Sequence, residues 1–249
     1  MNAFEFSAVS KRFGTRVALD GVELAQTSGS ALGLLGPNGA GKTTALRLLL
    51  GFVPATRGRV LLQGLDPRDP QSRQHVGYLP ERIALPGRMT VEAFLKLHGR
   101  LAGLEGPALM AEVERVAERT GVADRRADRL GGLSKGLAQR VGFAQAFLAE
   151  PKILILDEPT SGLDPIGMRE AREWIEAEHA RGCTVLICSH VLSEIERICD
   201  RVAILGEGRI LVEGALDSIV AEGEELEDAF IRHVRLGAAS AAGGTGGVR

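Results

Sequence analysis

Apolar residues recur with two different periods along this chain, and the changes between them mark its elements. Residues 4–9, Phe-Glu-Phe-Ser-Ala-Val, alternate with the period of two that a half-buried strand needs, and Val17, Leu19, Val22 and Leu24 suggest further short β segments. Together these predict an antiparallel edge. Ala31 to Leu35 is a continuous apolar run, and Ala45 to Gly51 is helical, with Gly51 stopping the helix and Pro54 preventing its resumption. Gly58 to Leu62 reads as the next strand and residues 64–74 as a loop with a short turn. Val76 to Leu79 is a second central-strand candidate, ended by Pro80 and followed by Glu81.

From Thr90 the period becomes helical. Thr90 is placed to N-cap, Glu92 lies in the first turn, and Phe94, Leu97, Leu101 and Leu104 share a face, as do Leu109, Val113 and Val116 after Gly106-Pro107. Residues 82–150 therefore predict a helical insertion of about four helices within an α/β domain. Gly131-Gly132-Leu133-Ser134-Lys135-Gly136 interrupts it and opens a helix over Leu137 to Glu150. Ile153 to Leu156, followed by Asp157 and Glu158, reads as a buried parallel strand with acids at its carboxyl end, where ligands gather in such sheets. A turn at Ser161 to Pro165, an amphipathic helix over 167–181 with the single tryptophan Trp174, and a strand over Thr184 to Cys188 ending at Ser189-His190 follow. Val202 to Leu205 and Arg209 to Val212 form a closing hairpin. Leu216 to Leu236 is acidic and helical, with Leu226, Ala229, Phe230 and Val234 on one face, and residues 237–249 are Gly/Ala-rich with a tail expected to be disordered.

Composition narrows the class. With 249 residues and 45% apolar content the chain can bury a sizeable core as one large or two small domains. Its net charge of −2 supplies no overall field for nucleic acid or anionic lipid. Cys183, Cys188 and Cys199 are odd in number, lack metal-ligand spacing and sit in or near apolar segments, so they read as core thiols of a reducing cytosol. His98 has no Cys or His partner nearby and reads as a solvated or core histidine. Residues 1–10 lack a signal pattern and no apolar run is long enough to span a bilayer, so any membrane crossing is expected of another chain.

Chemistry concentrates in Gly36-Pro37-Asn38-Gly39-Ala40-Gly41-Lys42-Thr43-Thr44, a G-x-x-x-x-G-K-[ST] pattern between an apolar run and a helix. Its glycines let successive N–H groups turn toward one centre, where they and the helix N-terminus attract a polyphosphate. Lys42 supplies a mobile charge for the β- and γ-phosphates, and the Thr43 hydroxyl is suited to Mg²⁺. Asp157 suits the same ion, and Glu158 suits polarising an attacking water. His190 ends a strand at the same carboxyl edge, where a γ-phosphate contact is feasible. Ser134 and Gly136 at a helix start form either a second anion-binding cap or an ordinary N-cap. Phe13 either stacks on a flat base or caps the sheet's core. The loop does not recur, so one nucleotide unit is expected.

In this order, Phe13, the loop at 36–44, Glu81, Leu133-Ser134-Lys135-Gly136, Asp157-Glu158, Asp164 and His190 resemble the nucleotide-binding subunit of ABC transporters, over residues 1 to about 215. The resemblance implies a P-loop NTPase core with a mainly parallel sheet, an N-terminal antiparallel β subdomain and an inserted helical subdomain. It also implies ATP and Mg²⁺ as ligands, Phe13 stacking on adenine, Glu158 as catalytic base, and His190 as the γ-phosphate switch. Ser134, Lys135 and Gly136 would bind ATP held by a second subunit in a head-to-tail homodimer, with Asp164 among the nucleotide contacts. Two positions depart from the family pattern: Glu81 replaces the usual glutamine, still able to contact Mg²⁺, and Ser134-Lys135-Gly136-Leu137 replaces Ser-Gly-Gly-Gln. Gly77 to Glu81, Leu133 to Gly136 and Gly162 to Gly167 look like the ABC-2 exporter branch. The implied protein is an ATPase on the inner face of the cell membrane, bound to separately encoded permease subunits. The competing reading is a soluble ABC-type mechanochemical ATPase; nucleic-acid remodelling is disfavoured by the near-neutral charge.

Overall fold

The alternation at the start of the chain extends into two long strands in the computed structural model, which describes residues 1–243. In chain order these are β1 (Asn2–Phe13), β2 (Arg16–Thr27), β3 (Ala31–Leu35), α1 (Lys42–Leu49), β4 (Arg57–Leu62), β5 (Val76–Leu79), α2 (Val91–Leu101), α3 (Gly106–Arg119), α4 (Lys135–Ala146), β6 (Ile153–Asp157), α5 (Pro165–Ala180), β7 (Thr184–Cys188), α6 (Leu192–Ile198), β8 (Arg201–Gly206), β9 (Arg209–Ala215), α7 (Leu216–Ile219) and α8 (Leu226–Gly243). The chain divides into two units, residues 1–73 with the stretch from Leu186 onward, and residues 74–185.

In the first unit β1 pairs antiparallel with β2 and with β4, so that Phe4 opposes Gln26 on one side and Leu62 on the other. Phe4, Phe6 and Val9 are buried, and the two rings meet edge to face at 6.0 Å. The strand at Gly58 to Leu62 thus belongs to the antiparallel sheet, not beside the central strands. Long-range bonds hold this region to β1: the Lys11 ammonium donates to the Pro54 carbonyl at 2.7 Å, and the Arg12 N–H to the Thr56 hydroxyl at 3.0 Å. β3, buried at all five positions, runs parallel to β8, and β8 turns back antiparallel into β9. Asp200 pins the start of β3, its carboxylate accepting the Ala31 N–H at 2.9 Å.

The acidic stretch at 216–236 is broken into α7 and α8. Leu226 and Ala229 are buried, while Phe230 and Val234 are half-buried, so the predicted apolar face is the packed one. Helix continues to Gly243, beyond the predicted start of a disordered tail at 237; residues 244–249 lie outside the described residues.

In the second unit β5 and β6 pair in parallel, with Val76 opposite Ile153 and Leu79 opposite Leu156. The insertion contains three α-helices, because residues 123–125 and 130–132 form only 3₁₀ turns. The Thr90 hydroxyl accepts the Ala93 N–H at 3.2 Å, the expected N-cap of α2. His98 is half-buried with its ring 4.4 Å from that of Phe94, and burial holds its pKa below the ordinary value. Phe143 packs on Phe147 and Trp174, joining α4 to α5.

One buried carboxylate organises this packing. Glu178, 1% exposed, pairs with Arg119 and with Arg181, the latter at 2.9 Å. Arg119 also donates to the Trp174 carbonyl at 2.9 Å and lies over the Phe147 ring. Cys183, Cys188 and Cys199 are all buried and none forms a disulfide, and burial followed by the nearby Glu178 charge pushes Cys183 up to about 12. Glu178→Ala should therefore cost about 3 kcal/mol in urea unfolding at pH 7, since two guanidinium groups lose a buried partner. Because its pKa is raised, Cys183 stays a protonated thiol across pH 7–9. Thiol-reactive reagent should label it in native protein only as fast as the protein unfolds, and rapid labelling at pH 8 would contradict its burial.

Candidate functional site

The sequence-derived site residues divide between the units. The first contains Phe13, the loop from Gly36 to Thr44, and His190; the second contains Glu81, Ser134 to Gly136, Asp157, Glu158 and Asp164.

The loop follows directly from β3, and its path is enforced by close packing. A side chain on Gly36 would collide with the Leu205 carbonyl, while one on Gly41 would meet the Ala18 carbonyl oxygen at 2.6 Å and Leu19 Cδ2 at 2.7 Å. Gly41 also adopts φ 116°, a conformation that L side chains rarely enter. The loop's interior is tied down through Ala40, whose N–H donates to Pro37 at 3.1 Å and whose carbonyl accepts the Gly208 N–H at 3.0 Å. Pro37, Asn38 and Gly39 are left exposed as a rim.

Helix α1 begins at Lys42 on Gly41, which has no side chain to cap it. Its first-turn N–H groups therefore keep their donor capacity and the positive end of the helix dipole. The Lys42 ammonium folds over the loop to donate to the Gly36 carbonyl and, at 3.4 Å, to the Pro37 carbonyl. The loop thus combines oriented amides with a mobile cation, the chemistry that holds a polyphosphate. Phe13 lies at the end of β1 and is 46% exposed, so it is not a core cap. Lys11 Nζ sits 4.9 Å from its ring centroid, fixed by its bond to Pro54. His190 follows β7 and is exposed; the buried Ser189 hydroxyl beside it accepts the Val191 N–H at 3.0 Å.

In the second unit, the parallel register of β5 and β6 sends both chains out at one carboxyl edge. Glu81 emerges two residues beyond Leu79, and Asp157 directly follows Leu156. Asp157 is 5% exposed and Glu81 is exposed, so the same edge offers one buried and one solvated carboxylate. Glu158 has φ 51°, left-handed backbone that costs a residue with a Cβ about 1–2 kcal/mol. Strain at such an acid is a feature of functional positions. Among the described residues no group of three or more His, Cys, Asp or Glu side chains could hold a metal ion alone. Mg²⁺ does not require one, since it keeps waters and takes substrate phosphates as ligands beside one or two carboxylates.

The Ser134 hydroxyl caps α4 by accepting the Leu137 N–H at 3.3 Å. Lys135 lies directly against Gly162, where even a Cβ would collide with its Cε. Asp164 caps α5, its carboxylate accepting the Gly167 N–H at 2.7 Å. Sequence reasoning missed Gln139, a buried amide on α4 that donates to the Pro159 carbonyl at 2.7 Å. It anchors the backbone one residue beyond Glu158, and its signal was a polar side chain on the buried side of a helix.

The family described as ABC transporter matches residues 19–161. An uncharacterized ABC transporter ATP-binding protein of Nostoc sp. (strain PCC 7120) is 42% identical over 82% of this chain, which spans 62% of that protein, about three-fifths of its length. The Nod factor export ATP-binding protein I of Burkholderia lata is 38% identical over 87% of this chain and 72% of its own length. Among solved structures, an ATP-binding subunit of an ABC transporter superposes with TM-score 0.85 at 30% identity, covering 93% of this chain and 99% of that one. With its antiparallel N-terminal sheet, parallel strands and glycine-enforced loop leading into α1, this chain belongs to the ATP-binding proteins of ABC transporters.

Proposed function

We propose that this chain binds ATP with Mg²⁺ on the loop at 36–44 and hydrolyses it to drive export through a separate membrane permease of the ABC-2 type. The observation that carries the reading is the loop itself, where Gly36 and Gly41 admit no side chain, the α1 amides lack a side-chain cap, and Lys42 lies over the loop carbonyls. Lys42 and the loop N–H groups stabilise charge on the phosphates, and Phe13 offers a ring for adenine. Thr43, Asp157 and Glu81 offer the hard oxygen donors that Mg²⁺ takes, and the ion's chemistry when bound is neutralisation of phosphate charge. Glu158 orients or deprotonates the attacking water, and His190 contacts the γ-phosphate.

Two copies pair head to tail, each presenting Ser134, Lys135 and Gly136 to the ATP of the other. Exposure of Ser134 and Lys135 supports this arrangement. Among the described residues no helix is long and apolar enough to cross a membrane, which suits a subunit whose cargo path lies in another chain. The export assignment draws on the Nod factor export relative and on the Gly77 to Glu81 and Gly162 to Gly167 motifs.

Lys42→Ala should weaken ATP binding by about tenfold or more, measured by calorimetric titration, and an unaltered affinity would count against the loop reading. Glu158→Gln should lower the ATPase rate by roughly 10²-fold or more while trapping an ATP-bound dimer, seen as a mass increase in light scattering. Purified with ATP from detergent-solubilised membranes, that variant should bring down a multi-span integral protein. Recovery of soluble partners alone would replace transport with action on a cytosolic assembly.

A further inference from the structure

Arg16 opens β2 and is the cross-strand partner of Phe13, which closes β1. The two side chains therefore stand together at the end of one hairpin. From there the guanidinium reaches the phosphate loop: a Cβ built on Gly39 would find Arg16 Nη2 as its nearest neighbour, at 3.9 Å. Gly39 belongs to the exposed rim of the loop and has φ 82°.

Several other cations of the same unit are engaged. Arg201 pairs with Glu213, Arg209 with Asp20 and Arg232 with Glu224, while Lys11 is held by Pro54 and Phe13. The exposed Arg16 side chain has no ion pair or side-chain hydrogen bond among the described residues. Its surroundings are already positive, since the Lys42 ammonium and the uncapped start of α1 belong to the same loop. Another cation beside them is repelled until an anion arrives, and then becomes an additional ligand for it. A planar guanidinium suits that role, because its N–H groups match paired phosphate oxygens.

We propose that Arg16 is a phosphate-contacting residue of the nucleotide site, closing over the polyphosphate at the Gly39 rim while Phe13 beside it holds the base. This rests on the reading of residues 36–44 as a nucleotide-binding loop. One hairpin end thus serves both halves of the ligand, and its register keeps ring and guanidinium together.

The test is calorimetric titration of the full chain with ATP–Mg²⁺ and with inorganic tripolyphosphate, at low and moderate salt. Wild type is compared with Arg16→Ala and Arg16→Lys, and matched thermal unfolding midpoints verify the fold. Arg16→Ala should weaken both ligands by about tenfold and flatten the salt dependence, and Arg16→Lys should recover part of the loss by restoring charge without the planar fork. Unchanged tripolyphosphate affinity in Arg16→Ala overturns the assignment, whether ATP binding holds or falls, because the guanidinium is then not acting on phosphate. If wild type binds neither ligand, the loop reading fails and takes the assignment with it.

Discussion

Close packing of backbone around the loop at 36–41 is the constraint on which the functional surface of this protein depends. Leu205 of β8 presses on Gly36, and Ala18 and Leu19 of β2 press on Gly41. These contacts leave no room for a Cβ, so both positions require glycine. The energy for that geometry comes from the buried strand beneath it. β3 is inaccessible at all five positions and registers in parallel with β8. The loop is therefore rigid where it joins the core and exposed only at Pro37, Asn38 and Gly39.

The same logic of an apolar strand delivering polar chemistry at its end operates in the second unit. β6 is buried throughout, yet its last residue is Asp157 and the next is Glu158 in a strained backbone conformation. A strained acid is held only if its neighbours are over-determined. Gln139 supplies one restraint through Pro159, and Lys135 packed on Gly162 supplies another three residues later. Both come from α4, so the helix that Ser134 caps also braces the turn after the acids. A change in the placement of α4 would be felt at Glu158 through these contacts.

Charge is spent sparingly in the interior. Glu178 is the clearest buried ion, and its two arginines also perform packing work, Arg119 lying over Phe147 and Arg181 closing the end of α5. Desolvating such a group is unfavourable alone and tolerable in a network. Most other ion pairs lie at the surface, where each contributes little. Stability must rest chiefly on apolar burial, with a density of Leu, Ile, Val and Phe in keeping with the 45% apolar composition.

Local chemistry was legible in the residues themselves. The period-two alternation marked β1, the capped apolar stripe from Thr90 marked α2, and the G-x-x-x-x-G-K-T pattern marked a tight turn into α1, because each rests on interactions within a few residues of chain. The placing of Asp157 and Glu158 at a strand end followed likewise from an apolar run followed by acids. What needed tertiary structure was every property set by distant partners. Nothing local assigns β4 to the antiparallel sheet, makes residues 123–125 and 130–132 3₁₀ turns instead of a fourth helix, or commits Asp164 to capping α5. The need for glycine at 36 and 41 comes from Leu205, Ala18 and Leu19, and the reach of Arg16 to Gly39 comes from a hairpin register. Periodicity reports which face of an element is buried; only the folded chain decides against what.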